Sequence, residues 1–161
     1  MVKRQVRWCW VVIVLVAVGC GADQQVLEDT KRLEDFRVWD WKIVGASVEK
    51  VETSRNSPLG REGAILVGRG VWNLPSGTDQ VEVVRELERQ GLGLTFVSCG
   101  RDLGFGANLV GFETTLRVSG HYENDQLVIV VNLPPRSQRA PIGAYVPDLV
   151  DGPQECQADL D

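Results

Sequence analysis

The sequence has one histidine, His121, one methionine, Met1, and four scattered cysteines, Cys9, Cys20, Cys99 and Cys156. A single imidazole and no close cysteine cluster exclude the usual zinc sites, which need three or four such ligands. No Gly-Lys-Ser/Thr follows a glycine-rich turn, so a P-loop is excluded. No acidic residue precedes Asp23. The apolar run Trp8 to Gly19 has 12 residues. As a helix it would reach roughly 18 Å at about 1.5 Å per residue, short of a hydrocarbon core of about 30 Å.

What the N-terminus does have is ordered. A basic segment carrying Lys3, Arg4 and Arg7 leads into the apolar run, which ends Ala17-Val18-Gly19-Cys20. Basic flank, short apolar stretch and small residues make a secretory signal peptide over residues 1–19. The terminal four residues resemble the lipobox of bacterial membrane lipoproteins, with Ala17 in place of the commoner leucine. The resemblance implies that a signal peptidase cuts before Cys20, that the Cys20 thiol receives diacylglycerol, and that the new amine is acylated. The alternative is an ordinary secretory signal, or an uncleaved anchor, that happens to contain a cysteine. Two or three acyl chains, at about 0.8 kcal/mol per buried CH₂, hold a protein on a membrane where one chain does not. The expected location is therefore the bacterial cell membrane, on its non-cytoplasmic side.

Loss of residues 1–19 removes three bases and no acid, leaving 14 bases against 22 acids, a net charge of −8. So acidic a domain is a poor binder of nucleic acid or anionic lipid by charge. The expected partners are the membrane through the lipid anchor, and an envelope protein or a small ligand. Of the cysteines, Cys9 leaves with the signal peptide and Cys20 is the lipid site. Cys99 and Cys156 remain for one disulfide in an oxidising compartment. It would close a loop of about 58 residues, worth roughly 4 kcal/mol by chain entropy. The alternative is Cys99 as a nucleophile with His121 as base.

Periodicity gives an α+β reading: about five mostly antiparallel strands with one or two packed helices. Residues 20–36 read as tether and helix, 37–135 as the domain, and 136–161 as a Pro-rich acidic tail. Trp39, Trp41 and Ile43 alternate with Asp40 and Lys42, as in a half-buried strand continuing towards Val48 and Val51. Ala64 to Trp72 is a second strand. Ser76 or Thr78 caps a helix with a stripe of Val81, Val84 and Leu87, wet-face pairs Glu82/Arg85 and Glu86/Arg89, and a stop at Gly91-Leu92. Leu92 to Cys99, Leu109 to Val118 and Leu127 to Leu133 complete the strands, the last two joined by a turn at Glu123-Asn124-Asp125. Val128 to Val131 is apolar on both sides and reads as a central strand.

Three features invite chemistry. The glycine-rich stretch Gly100 to Asn108 reads as a connection between strands; its alternative is a mobile binding loop with Arg101, Asp102 and Phe105 as contact residues. Leu109 stands where a dinucleotide fingerprint needs its third glycine, so no nucleotide cofactor is expected. Trp39 and Trp41 share a strand face, either as packing or as an aromatic binding surface. His121, beside a turn, lacks an orienting motif for general-base work. Asp148, Asp151 and Glu155 lack the spacing of a calcium loop and read as a solvated tail, so no metal is expected. The leading function is a membrane-anchored, non-enzymatic binding or assembly module. The alternatives are an exported hydrolase-like enzyme using His121, Asp102 or Arg101, and a passive spacer. The intact mass of protein extracted from membranes is expected to equal the chain from Cys20 plus diacylglycerol and an acyl group; an unmodified mass would remove the lipoprotein reading.

Overall fold

Among the described residues, six segments are strands. The computed structural model describes residues 24–56 and 65–142. The signal-peptide residues, Cys20, Cys156 and the acidic tail from residue 143 lie outside the described residues. The chain divides into two units, residues 1–33 and 34–161. Helix α1, described over residues 24–34, falls almost wholly in the first. There the Thr30 hydroxyl donates to the Val26 carbonyl at 2.8 Å, and Arg32 lies 4.0 Å from Asp29.

The second unit is an α+β sheet domain. Its strands are β1 (Val48–Asn56), β2 (Ile65–Asn73), β3 (Gly93–Ser98), β4 (Leu103–Gly111), β5 (Thr114–Glu123) and β6 (Gln126–Leu133). They form one antiparallel sheet in the order β1-β2-β6-β5-β4-β3. Helix α2 (Gln80–Arg89) connects β2 to β3 at the far edge, and the chain then returns strand by strand until β6 pairs with β2. The expected central strand is correct: β6 sits inside the sheet, with Leu127, Ile129, Val131 and Leu133 fully buried on one side and Val128 at 3 % exposure on the other.

Register decides which side chains share a face. One face carries Trp72 of β2, Leu127 and Ile129 of β6, Leu116 and Val118 of β5, and Leu103 and Phe105 of β4, all buried. Its cover is α2, whose Val81, Val83, Val84 and Leu87 are buried, together with the segment before β1. That segment departs from the expected strand. Arg37–Asp40 is a 3-10 turn, with Trp39 N–H donating to the Phe36 carbonyl at 2.9 Å. The chain then reverses at Val44-Gly45, both with positive φ, closing an isolated bridge between Ile43 and Ala46. A strand cannot run through that reversal, so it starts only at Val48.

The strand count also departs from expectation, six instead of five. Gly100 to Asn108 is not one loop, because β4 begins at Leu103, and the expected single strand from Leu109 to Val118 is a hairpin. Its turn residues, Phe112 (φ 54°) and Glu113 (φ 61°), are both left-handed. Non-glycine residues there cost about 1–2 kcal/mol each. Phe112 recovers part of that by burial, its ring 5.2 Å from that of Phe36. Without Asn or Gly, this turn carries none of the usual hairpin chemistry, so the pattern reads straight through it.

The start and stop of α2 are set by side chains. Asp79, and not Ser76 or Thr78, is the cap: its Oδ1 accepts from Val81 N–H at 3.2 Å. The stop is as expected, with Gly91 at φ +93° and Leu92 N–H donating to the Leu87 carbonyl at 3.1 Å. Of the expected pairs on the wet face, Arg89 bonds to Glu86. The β5–β6 turn at Asn124-Asp125, also as expected, holds the loop leading into α2. The Asp125 carboxylate accepts from the Ser76 hydroxyl at 2.5 Å and from Gly77 N–H at 3.2 Å, and Leu74 N–H donates to the Asp125 carbonyl at 2.8 Å. The Ser76 bond, with lesser help from Gly77 and Tyr122, holds the Asp125 carboxyl below the ordinary aspartate range. A depressed folded pKa gives stability that is present above about pH 3.9, the unfolded value, and is lost as pH falls through the folded one. The denaturation midpoint of the native chain is therefore expected to drop more steeply between pH 5 and pH 3 than that of Asp125→Asn; parallel acid limbs in urea titrations would contradict this.

Candidate functional site: the open face of the sheet

The residues that alternate with the core project to the opposite face, which mixes polar side chains with Val71, Val128 and the exposed Phe96 and Val110. At one edge two cations share one carboxylate. Glu52 of β1 lies 2.5 Å from Lys50 and 3.5 Å from Arg69 of β2. The Lys50 hydrogen bond and charge, then the charge of Arg69, hold the Glu52 carboxyl below its ordinary value. The centre of the face is different. Arg117 of β5 is directly opposite Asn108 of β4 on one side and Asn132 of β6 on the other. Neighbouring strands lie about 4.8 Å apart, so a guanidinium stands between two primary amides in one row.

This row lies where two adjoining depressions, of about 540 and 430 Å³, meet; both are lined by Asn108, Arg117 and Asn132. The larger runs to Thr115, Pro134 and Pro141, and the smaller to Thr95 and Ser119. The larger is walled by the segment after β6. There the Thr114 hydroxyl donates to the Ala140 carbonyl at 2.8 Å, and Arg139 donates to the Pro134 carbonyl at 3.1 Å. Arg117 is exposed, and among the described residues its side chain has no ion pair or hydrogen bond; the same holds for the Asn108 and Asn132 amides. Among the described residues no acidic side chain lines either depression. Within those residues the groove holds one cation without a counter-ion, Arg117.

The residues singled out from sequence lie elsewhere. Trp39 and Trp41 are buried, at 6 % and 8 % exposure. The Trp39 ring lies against Gly70 and 6.2 Å from that of Trp72, and the Trp41 carbonyl accepts the Trp72 indole N–H at 3.1 Å. Both belong to the cover of the closed face and present no aromatic surface to solvent. Phe105 is corrected in the same way. It is at 1 % exposure within β4, facing the core. Its cross-strand partner is Gly120, where a Cβ would overlap both the Phe105 ring and the Val128 carbonyl. Arg101 and Asp102 are exposed in the short β3–β4 connection. That connection is anchored to α2: the Gln80 side-chain amide donates to the Gly100 carbonyl at 2.9 Å and accepts from Gly100 N–H at 3.3 Å.

His121 is exposed within β5, opposite Gly104 and Val128, rather than at a turn. Among the described residues no hydrogen bond joins it to Asp102 or Arg101. Cys99 is disulfide-bonded; Cys156, its expected partner, is outside the described residues. Among the described residues no helix is long and apolar enough to cross a membrane. In comparison with known proteins, the chain matches no family model, no curated sequence and no solved structure.

The Asn108–Arg117–Asn132 row went unnoticed in the sequence because its members are 9 and 15 residues apart. One local signal was present: Arg117 interrupts the apolar and hydroxylic run Thr114 to Ser119. Because Phe105 is core and Arg101 is surface, Phe105→Ala is expected to cost about 3–5 kcal/mol of stability and Arg101→Ala less than about 0.5. Chemical denaturation of the two variants distinguishes this from a contact role for both, which predicts two silent changes.

Proposed function

We propose that this chain is a membrane-anchored cell-envelope lipoprotein whose sheet domain is a non-enzymatic binding or assembly module. On this reading Cys20 carries the lipid, a Cys99–Cys156 disulfide secures the C-terminal segment in an oxidising compartment, and the open face of the sheet meets the partner. The single observation that carries the binding role is the groove around Arg117, whose one charge has no counter-ion among the described residues. An unsatisfied guanidinium flanked by free amides is suited to recognition, since it offers five donors in a fixed fork. The lipobox Ala17-Val18-Gly19-Cys20 supports the anchor.

The anchor also makes use of orientation. A domain held at one end cannot diffuse away from the membrane, so even a weak surface meets envelope partners at high effective concentration. The test is photo-cross-linking in intact cells from a probe at Ser119, on the open face, against one at Glu88, exposed on α2. A discrete adduct is expected from Ser119 and not from Glu88. It is expected to vanish in Cys20→Ala, which leaves the domain unanchored. Identical patterns from both probes would remove the open face as the binding surface.

A further inference from the structure

We infer that the groove on the open face binds a free carboxylate joined to an amide, as at the C-terminus of a peptide. The inference rests on the reading of that face as a binding surface and names what it takes. Four observations converge on this chemistry. First, among the described residues the lining of both depressions contains one cation, Arg117, and no anion. A single guanidinium matches a monoanion, and a carboxylate fits its fork through two parallel N–H···O bonds. Second, the charge is not consumed inside the protein: among the described residues Arg117 has neither ion pair nor hydrogen bond. The cations at the neighbouring edge, Lys50 and Arg69, both have Glu52.

Third, Asn108 and Asn132 stand in register on either side of Arg117. Each primary amide both donates and accepts, which is the complement of a peptide group next to the carboxylate. Fourth, the larger depression pairs this polar floor with apolar walls from Ile65, Pro134 and Pro141, suited to the last side chain of such a ligand. Its volume of about 540 Å³ is in the range of small-ligand sites, about 300–1,000 Å³. A phosphate dianion would find only one cation here, and a neutral sugar would leave that cation unpaired.

The test uses the full chain in detergent, so its outcome does not depend on whether Cys20 is lipidated. The probes are N-acetyl-Ala-Ala and its C-terminal amide, titrated by calorimetry and by amide NMR shifts on β4, β5 and β6. The acid is expected to bind at least about tenfold more tightly than the amide, the factor that about 1.4 kcal/mol corresponds to. Arg117→Gln is expected to abolish the difference, and Arg117→Lys to keep part of it as a point charge without the fork. Asn132→Ala is expected to weaken the acid while leaving the selectivity for it over the amide. Arg117 is exposed and unpartnered, so the thermal midpoint of Arg117→Gln is expected to equal that of the native chain, which separates lost binding from lost fold. Equal affinity for acid and amide, no binding of the acid, or unchanged binding in Arg117→Gln each overturns the inference. So does binding that appears only when Asp148, Asp151 and Glu155 are changed to their amides, which would assign the groove to the chain's own acidic tail. An adduct from Ser119 in cells without carboxylate selectivity in vitro would leave the binding module standing and remove only this ligand class.

Discussion

The antiparallel sheet has two faces, and the chain between its strands covers one of them. The connection from β2 must travel past three strands to reach the far edge at β3, and it does so as α2, whose buried valines and Leu87 close that side. The Trp39–Trp72 contact and the indole hydrogen bond to the Trp41 carbonyl complete the cover. Most of the large apolar side chains in the strands are drawn towards this cover because burying one is worth about 1.5–3 kcal/mol, although Val71 and Val128 are buried on the other side. The polar residues between them have no choice of side. The open face and its groove are thus the consequence of how the closed face is filled.

The closed face also explains why its strands hold their register. Phe105 occupies the space above Gly120, and a one-residue slip would place a side chain there and turn each strand's apolar set outward. The tip of the β5–β6 hairpin grips the loop before α2 through Asp125, Ser76 and Gly77. Gln80 grips the β3–β4 connection through Gly100. The N-terminal end of the helical crossover is therefore tied to two turns of the meander that follows it. The strand bearing Arg117 gains a fixed position from contacts made on the other side of the sheet.

Much of the architecture was legible. Helix α2 was marked by its valine stripe and Gly91, β6 by its continuous apolar run, and the β5–β6 turn by Asn124-Asp125. The misreadings have physical causes. Trp39, Trp41 and Ile43 alternate like a strand, but the alternation comes from a 3-10 turn followed by an extended segment. Gly104 and Gly106 made β4 look like a loop, although Leu103, Phe105, Ala107 and Leu109 already showed period two. Phe112-Glu113 adopts a hairpin turn without the residues that favour it, its geometry imposed by the packing of Phe112 on Phe36. The candidate site was the least legible part, because residues flagged singly for size or charge proved to be core or connecting turn.

The sequence by itself determined the α+β class, the central place of β6, the stop of α2 and the acidic balance of the domain. These follow from local periodicity, capping and composition, which act over a few residues. Only the tertiary structure decided that Asn108, Arg117 and Asn132 form one row, that Phe105, Trp39 and Trp41 are interior, and that the described residues leave one face of the sheet with a groove. Those facts depend on which strands pair and in what register, and pairing joins residues that no local pattern connects.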